Sequence, residues 1–279
     1  MLRNRENWSI PARPGVNPWV VQNPPDHQVP CLQLAQRIQK LLAHLGIASR
    51  RQVECWIREG EIIVNGECCT LGQQVRGDES VLVCGTPVDL QARVPVRVLR
   101  YHKPAGEVVS RREQGVHATV FEQLPDPGAG RWVSVGRLDL NTSGLLLLTT
   151  DGTLADALMH PRSGLEREYR VRVHGRITHE IVSRLQQGVQ LDDGMVQLVA
   201  LEVFDTPGTN TWCRVVLKEG RNRVVRRLWA SQGLEVSRLV RMRYGPLALP
   251  EALRPGEWDE LSPQQVGRLY RAARCSPGA

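Results

Sequence analysis

Four consecutive leucines, Leu145 to Leu148, closed by the turn pair Asp151-Gly152, have the length and punctuation of a buried strand. Directly ahead of them the chain reads Gly136-Arg137-Leu138-Asp139-Leu140-Asn141-Thr142-Ser143, a polar turn. The carboxylate of Asp139 is thereby placed where irregular backbone meets a sheet, and rigid scaffolds tend to display reactive side chains at such places. By residue type alone, an aspartate beside Asn141, Thr142 and Ser143 also fits a turn residue that bonds local backbone amides. Both roles stay open on these residues.

The rest of the chain divides around this strand. Residues 1–30 are rich in proline, asparagine and glycine with no helical or strand period, and are expected to form a disordered arm that carries Trp8 and Trp19. Leu34, Ile38, Leu41, Leu42 and Leu45 then recur at helical spacing, with Gly46 as the stop. Ser49, with Gln52 three residues on, opens a second helix whose apolar stripe is Val53, Trp56 and Ile57. Ile62-Ile63-Val64 runs into Asn65-Gly66, a strong hairpin signal. These features mark a compact module over 31–85, followed by a linker over 86–95.

From 96 to 262 short strands alternate with few helices. The strands begin with Val96 to Leu99 and Leu145 to Leu148, and continue with Tyr169 to Val173, Val199 to Phe204, Cys213 to Leu217 and Leu239 to Tyr244. Helices are expected at Thr153 to Met159, Thr178 to Gln187 and Asn222 to Gln232. This order predicts an α+β domain, a mixed and mainly antiparallel sheet with flanking helices, and leaves 263–279 as a C-terminal tail. Neither a G-x-G-x-x-G nor a Walker sequence is present, so nucleotide-cofactor folds have no support. The seven cysteines are scattered without a C-x-x-C pair, and His102, His117 and His160 lack ligand spacing, so no metal site is expected. The first 22 residues lack the apolar core of a signal peptide, and no apolar run reaches the ~18 residues of a bilayer span. A soluble, cytoplasmic protein with reduced thiols is expected, acting as a monomer without membrane contact.

Charge points to the partner. The formal net charge is +7, and between Arg214 and Arg243 nine basic residues face two acidic ones, so this segment alone carries an excess of nine minus two, or +7. Clustered arginine reads as phosphate recognition, because the guanidinium fork matches phosphate oxygens. Within Glu219 to Trp229, Arg221, Arg223, Arg226 and Arg227 surround a helix start. They would repel one another unless anions compensate them, and phosphates at that helix end would do so. Tyr169 opens a strand and offers a phenol able to stack on a base.

Three motifs, GRLDLNTSGLLLLTTDG, EREYRVRV and EGRNRVVRRLWASQGLEVSRLVRMRYGPL, together resemble the pseudouridine synthases of the RsuA type. The details are similar to the branch acting on large-subunit ribosomal RNA. The module ahead of them, with GIASRRQVECWIREGEIIVNG, resembles the S4 RNA-binding domain. The resemblance runs from about Leu34 to Leu261 and implies an S4 domain joined to a pseudouridine synthase catalytic domain. It implies an isomerase that breaks the N1–C1′ bond of uridine and rejoins C1′ to C5, with ribosomal RNA as partner and no metal or organic cofactor.

By that resemblance Asp139 is the nucleophile, and Tyr169 stacks on the flipped uracil and serves in proton removal from C5. Arg226 pairs with the aspartate and keeps it ionised, and Arg137 fills the gap left by the extruded base. Arg50 and Arg51 of the S4 module contact phosphates, as do Arg221, Arg223 and Arg227. Lys103-Pro104-Ala105-Gly106 resembles the family's K-P-x-G motif and reads as a structural turn near the active site. Two alternatives stand beside this reading: the same chemistry on small-subunit RNA, and a noncatalytic RNA-binding assembly factor on the same fold.

Overall fold

Helical spacing and the Asn65-Gly66 turn build a small module at the amino-terminal side. In a computed structural model, which describes residues 35–111, 116–204 and 208–276, α1 (Ile38–His44) and α2 (Arg50–Arg58) pack on a four-stranded sheet. Its strands are β1 (Ile62–Val64), β2 (Glu67–Cys68), β3 (Val81–Val83) and β4 (Thr86–Val88). The expected arm over 1–30, with Trp8 and Trp19, lies outside the described residues. Ser49 caps α2 by accepting from the Gln52 N–H at 3.1 Å. Asn65 and Gly66 both take left-handed backbone, φ 51° and 86°, which is the conformation a two-residue hairpin turn requires. Ile38, Leu42, Val53, Ile62 and Val83 close a core of their own.

Two boundaries differ from the sequence reading. Gln36 and Arg37 pair with Gln74 and Val75 as a short strand, so the first helix begins at Ile38. The sheet also runs past Gly85 into the expected linker: Thr86–Val88 pairs with β3, and Leu90 is buried in the module's core. Pro87 is tolerated there because β4 is an edge strand, where the missing N–H leaves no ladder bond unmade.

The larger domain is built on β5 (Val98–Lys103), β6 (Ser143–Thr149), β7 (Arg167–His174), β8 (Ala200–Phe204), β9 (Asn210–Leu217), β10 (Glu235–Tyr244) and β11 (Trp258–Glu260). Between them lie α3 (Gly152–Met159), α4 (His179–Gln187) and α5 (Val224–Ala230), and α6 (Pro263–Ala273) follows. The sheet order is β8-β9-β7-β10-β6-β5-β11, with Val133–Ser134 added beside β6 and Leu247–Ala248 beside β10. Along that order the neighbours are antiparallel except β10 and β6, which run parallel through the pairs Val240–Ser143 and Arg241–Gly144. The architecture is the expected α+β one, with a mixed, mainly antiparallel sheet and flanking helices.

The four leucines are buried because both faces of β6 are covered. Leu145 and Leu147 point to α3 and α6, against Leu154, Leu158 and Leu269. Leu146 and Leu148 point the other way, against Tyr101, Trp132 and Leu138. On the other half of the sheet, Val171, Val173, Cys213 and Val215 pack under Ile181 and Leu185 of α4 and Leu228 and Trp229 of α5.

The expected tail folds in its first part as α6. Ser262 and Gln265 form a reciprocal capping box with Pro263 in the first turn, and Leu269, Tyr270 and Ala273 are buried. The Tyr270 hydroxyl donates to Asp151 Oδ2 at 2.6 Å, so α6 is tied to the turn that ends β6. Conversely, α5 covers only Val224–Ala230 of the expected Asn222 to Gln232, because Arg223 takes a left-handed conformation (φ 49°) at its start.

Candidate active site

Asp139 emerges where the two halves of the sheet meet at the short parallel pairing of β6 with β10. Its turn is held from below by Lys103, the last residue of β5, which has no solvent exposure. The Lys103 ammonium donates to the carbonyls of Pro104 (2.8 Å), Thr142 (2.9 Å) and Asp139 (3.3 Å). Burial pushes this ammonium down to about 8, opposed by the negative charges of Glu107 and Asp139. The Gly106 N–H donates to the Leu140 carbonyl at 2.8 Å, so the K-P-x-G segment and the aspartate turn form one unit. The segment read as a turn is therefore the clamp on the Asp139 loop. Lys103→Met is expected to lower turnover about 100-fold through misplacement of Asp139, with RNA affinity unchanged. Single-turnover rates beside a binding isotherm check this, and a loss confined to affinity would sink it.

Within the turn, Asp139 accepts the Thr142 N–H through its backbone carbonyl at 3.0 Å. Its carboxylate lines a cavity of about 680 Å³ together with Arg137, Tyr169, Arg221, Arg223 and Arg241. Tyr169 stands on β7, opposite Arg241 on β10 and Val215 on β9, and is 7% exposed. Asp139 and Tyr169, distant in sequence, thus share one wall because β6 and β7 flank β10.

The arginines divide differently from the expectation. The cation beside Asp139 is Arg223, whose guanidinium lies 3.9 Å from Oδ2. Arg226 donates instead to the carbonyls of Asn141 (2.7 Å) and Val236 (2.9 Å). It ties α5 to the aspartate loop and to β10, and the direct pairing with Asp139 gives way to this backbone tether. Burial pulls the Arg226 guanidinium below its usual range, Arg223 adds to that, and Asp139 opposes it.

Arg221 and Arg227 are compensated by the protein itself. Arg221 bonds Asp193 at 2.9 Å, the Met195 carbonyl at 2.8 Å and Glu219. Arg227 bonds Asp193 Oδ2 at 2.6 Å and the Asn222 carbonyl at 2.9 Å. Arg227 and then Arg221 hold the Asp193 carboxyl below its usual range. The carboxylate of the Asp192-Asp193-Gly194 turn thus does what phosphates were expected to do at the start of α5. Farther along the basic stretch, Arg214 pairs with Glu168 at 2.9 Å, and Arg243 with Glu166 at 3.0 Å and Glu168 at 3.2 Å. Part of the sequence excess of +7 is neutralised by Glu166 and Glu168 once β7, β9 and β10 are side by side, and part by Asp193.

Arg137 is exposed at the cavity mouth, and Arg50 and Arg51 are exposed in the first turn of α2. None of the three has an ion pair among the described residues, and Arg50 and Arg51 stand apart from the cavity wall. Two arginines of the wall escaped the sequence reading: Arg167 and Arg241, 6% and 3% exposed. Both sit at inward positions of period-2 strands, where an arginine among apolar neighbours is the available signal.

A mixed sheet with an S4-like module ahead of it and a basic-walled cavity around one carboxylate defines an RNA-directed enzyme fold. Residues 97–231 match the RNA pseudouridylate synthase family and residues 36–81 the S4 domain. The chain belongs to the RNA pseudouridylate synthase family. It is 47% identical over 247 residues to the ribosomal large subunit pseudouridine synthase B of Vibrio cholerae, covering 88% of this chain and 77% of that one. With the protein of the same name from Pseudomonas aeruginosa the identity is 45% over 255 residues, covering 90% of this chain and 66% of that one. A solved pseudouridylate synthase crystal structure shares the fold with a TM-score of 0.59 at 24% identity, covering 84% of this chain and 99% of that one.

Proposed function

We propose that this chain isomerises a uridine of large-subunit ribosomal RNA to pseudouridine, with Asp139 as the catalytic carboxylate. The observation that carries the reading is the placement of Asp139 in a cavity beside Arg223 and on one wall with Tyr169. A carboxylate in such a cavity is available to act at C1′ of the ribose, by covalent attack or by assisting elimination. The bonding pair of N1–C1′ leaves with the base, C5 takes the place of N1 at C1′, the C5 proton is lost and N1 takes up a proton, so the reaction is an isomerisation. Tyr169, on the same cavity wall, is read as the ring on which a flipped base stacks and the phenol that serves in removing that proton. Arg137, exposed at the mouth, fits the filling of the gap in the RNA. The relatives' shared name supports the large subunit as substrate, and the chain is read as a monomer.

Pseudouridine mapping tests this, by carbodiimide labelling and primer extension on cells lacking the protein and complemented with wild type or Asp139→Asn. Loss of one large-subunit pseudouridine, restored by wild type alone, is the expected result. A lost site in small-subunit RNA would move the substrate. No lost site would leave an assembly factor, for which the S4 module is the supporting feature.

Arg50 and Arg51 project from α2 without carboxylate partners among the described residues, which fits them for phosphate contact. Replacing both with glutamine is expected to weaken RNA binding and to reduce the log-log salt slope by up to about 1 for each phosphate no longer neutralised. Binding isotherms across a salt series check it, and an unchanged slope would remove both residues from the interface.

A further inference from the structure

Two residues that line the cavity each carry a buried polar atom without any partner among the described residues: Arg241 its guanidinium nitrogen Nη2, and Thr142 its hydroxyl. Arg241 is 3% and Thr142 2% exposed, and both line the cavity that holds Asp139 and Tyr169. Neither is loosely placed. Arg241 is fixed by its Nε–H donating to the Leu145 carbonyl at 2.7 Å and by its guanidinium packing 5.1 Å from the centre of the Tyr244 ring. Its backbone stands opposite Tyr169 on one side and Gly144 on the other. Thr142 is fixed through its carbonyl, which accepts from Lys103 at 2.9 Å. A buried charged donor left unmatched is destabilising, more so than a neutral one. Two such unmade hydrogen bonds, on residues that line one cavity and are held in place by their other atoms, are what a ligand bound there would complete.

We propose that Arg241 and Thr142 read the uracil inside the cavity, Arg241 donating to a carbonyl oxygen of the base and the Thr142 hydroxyl bonding the same edge. This rests on the function proposed above. Uracil presents the acceptors O2 and O4 and the N3–H between them. At the position of O4 cytosine carries an amino donor, to which a guanidinium offers no acceptor, so a contact at O4 tells the two bases apart whereas one at O2 serves the chemistry alone. The same contact acts on the chemistry. When N1–C1′ breaks, the bonding pair leaves with the base, and the uracil anion spreads its charge onto O2 and O4. This holds whether Asp139 forms a bond to C1′ or removes a ribose proton. A fixed, water-poor guanidinium aimed at that oxygen strengthens its bond as the charge develops, which is the condition for lowering the barrier. Arg241 is thus a catalytic residue for departure of the base, and Asp139 acts on the sugar.

The test uses the full chain with unmodified large-subunit rRNA transcripts made with uridine, or with 5-fluorouridine, 2-thiouridine or 4-thiouridine in its place. Consumption of the target nucleoside is followed in single turnover. Arg241→Met is expected to slow consumption of uridine about 100-fold with transcript affinity unchanged. The loss should shrink at least about tenfold on 5-fluorouridine, because fluorine stabilises the departing anion by itself. An equal loss on both transcripts would overturn the inference and leave Arg241 as a support of β6. Should Arg241→Met fail to fold, the wild-type enzyme decides: a thio substitution at the oxygen that Arg241 meets is a poorer acceptor and must slow the reaction. Equal rates with oxygen and sulfur at both positions would overturn it. Absence of turnover by wild type on the uridine transcript would instead overturn the proposed function, and this inference with it.

Discussion

Asp139→Asn is expected to bind the target RNA within about twofold of wild type while turnover falls by at least about 10⁴-fold. The two halves of this expectation come from different parts of the site. Binding is proposed to draw on cations at the surface, Arg50, Arg51 and Arg137, which are exposed and which the substitution does not touch. In the proposed reaction turnover needs a carboxylate oxygen at C1′, and an amide of the same shape is a much weaker nucleophile and base. The fold tolerates the change because the turn is held by backbone atoms: Lys103 and Thr142 both bond the Asp139 carbonyl. Loss of the negative charge leaves Arg223 without the carboxylate 3.9 Å away, so any change within that twofold range should be a gain in RNA affinity. Single-turnover assays with a parallel binding isotherm separate the two effects. Substantial residual turnover by Asp139→Asn would return Asp139 to the turn role that its residue type also fits.

Gly144→Ala is expected to destabilise the protein by about 4 kcal/mol, lowering the melting temperature by roughly 10 °C. Gly144 holds φ at +106°, and a Cβ there would lie 2.3 Å from the Arg241 carbonyl oxygen and 2.5 Å from its amide nitrogen. These are backbone atoms of the neighbouring strand, so no side-chain rotation relieves the contact. The pairing forced apart is the parallel one that joins the halves of the sheet, and it sets Arg241 and Tyr169 against Asp139. Pseudouridine formation should therefore fall even well below the melting temperature. Gly60→Ala is the control. Its φ is +75° but nothing lies within 4 Å of the added carbon, so only the backbone penalty of about 1–2 kcal/mol applies. Calorimetric melting of both variants decides, and equal shifts would mean that the close approach to Arg241 carries no energy.

Short-range signals in the sequence carry through to the structure. Four leucines between turns form a strand buried on both faces, Ser49 forms a cap, and Asn65-Gly66 forms a hairpin turn. Each of these depends on a few adjacent residues whose conformational preferences agree. The expectation of a tail over 263–279 gives way to an equally local signal, Ser262-Pro263 followed by Gln265, which caps α6. The linker boundary moves for the opposite reason. Proline argues against a strand, and only the edge position of β4 makes Pro87 acceptable.

By itself the sequence determined the α+β class, the division into a small helical module and a larger sheet domain, and the turn that presents Asp139. It determined them because helix, strand and turn preferences act over a few residues. The tertiary structure alone decided which charges are compensated within the protein. Arg221 and Arg227 are neutralised by Asp193, and Arg214 and Arg243 by glutamates at the start of β7, whereas Arg226 bonds backbone and Arg223 faces Asp139. Charge pairing is set by distance in space, and strands far apart in sequence bring the carboxylates within about 3 or 4 Å. For the same reason the buried Lys103 clamp and the unpartnered wall groups of Arg241 and Thr142 become visible only when β5, β6 and β10 lie side by side.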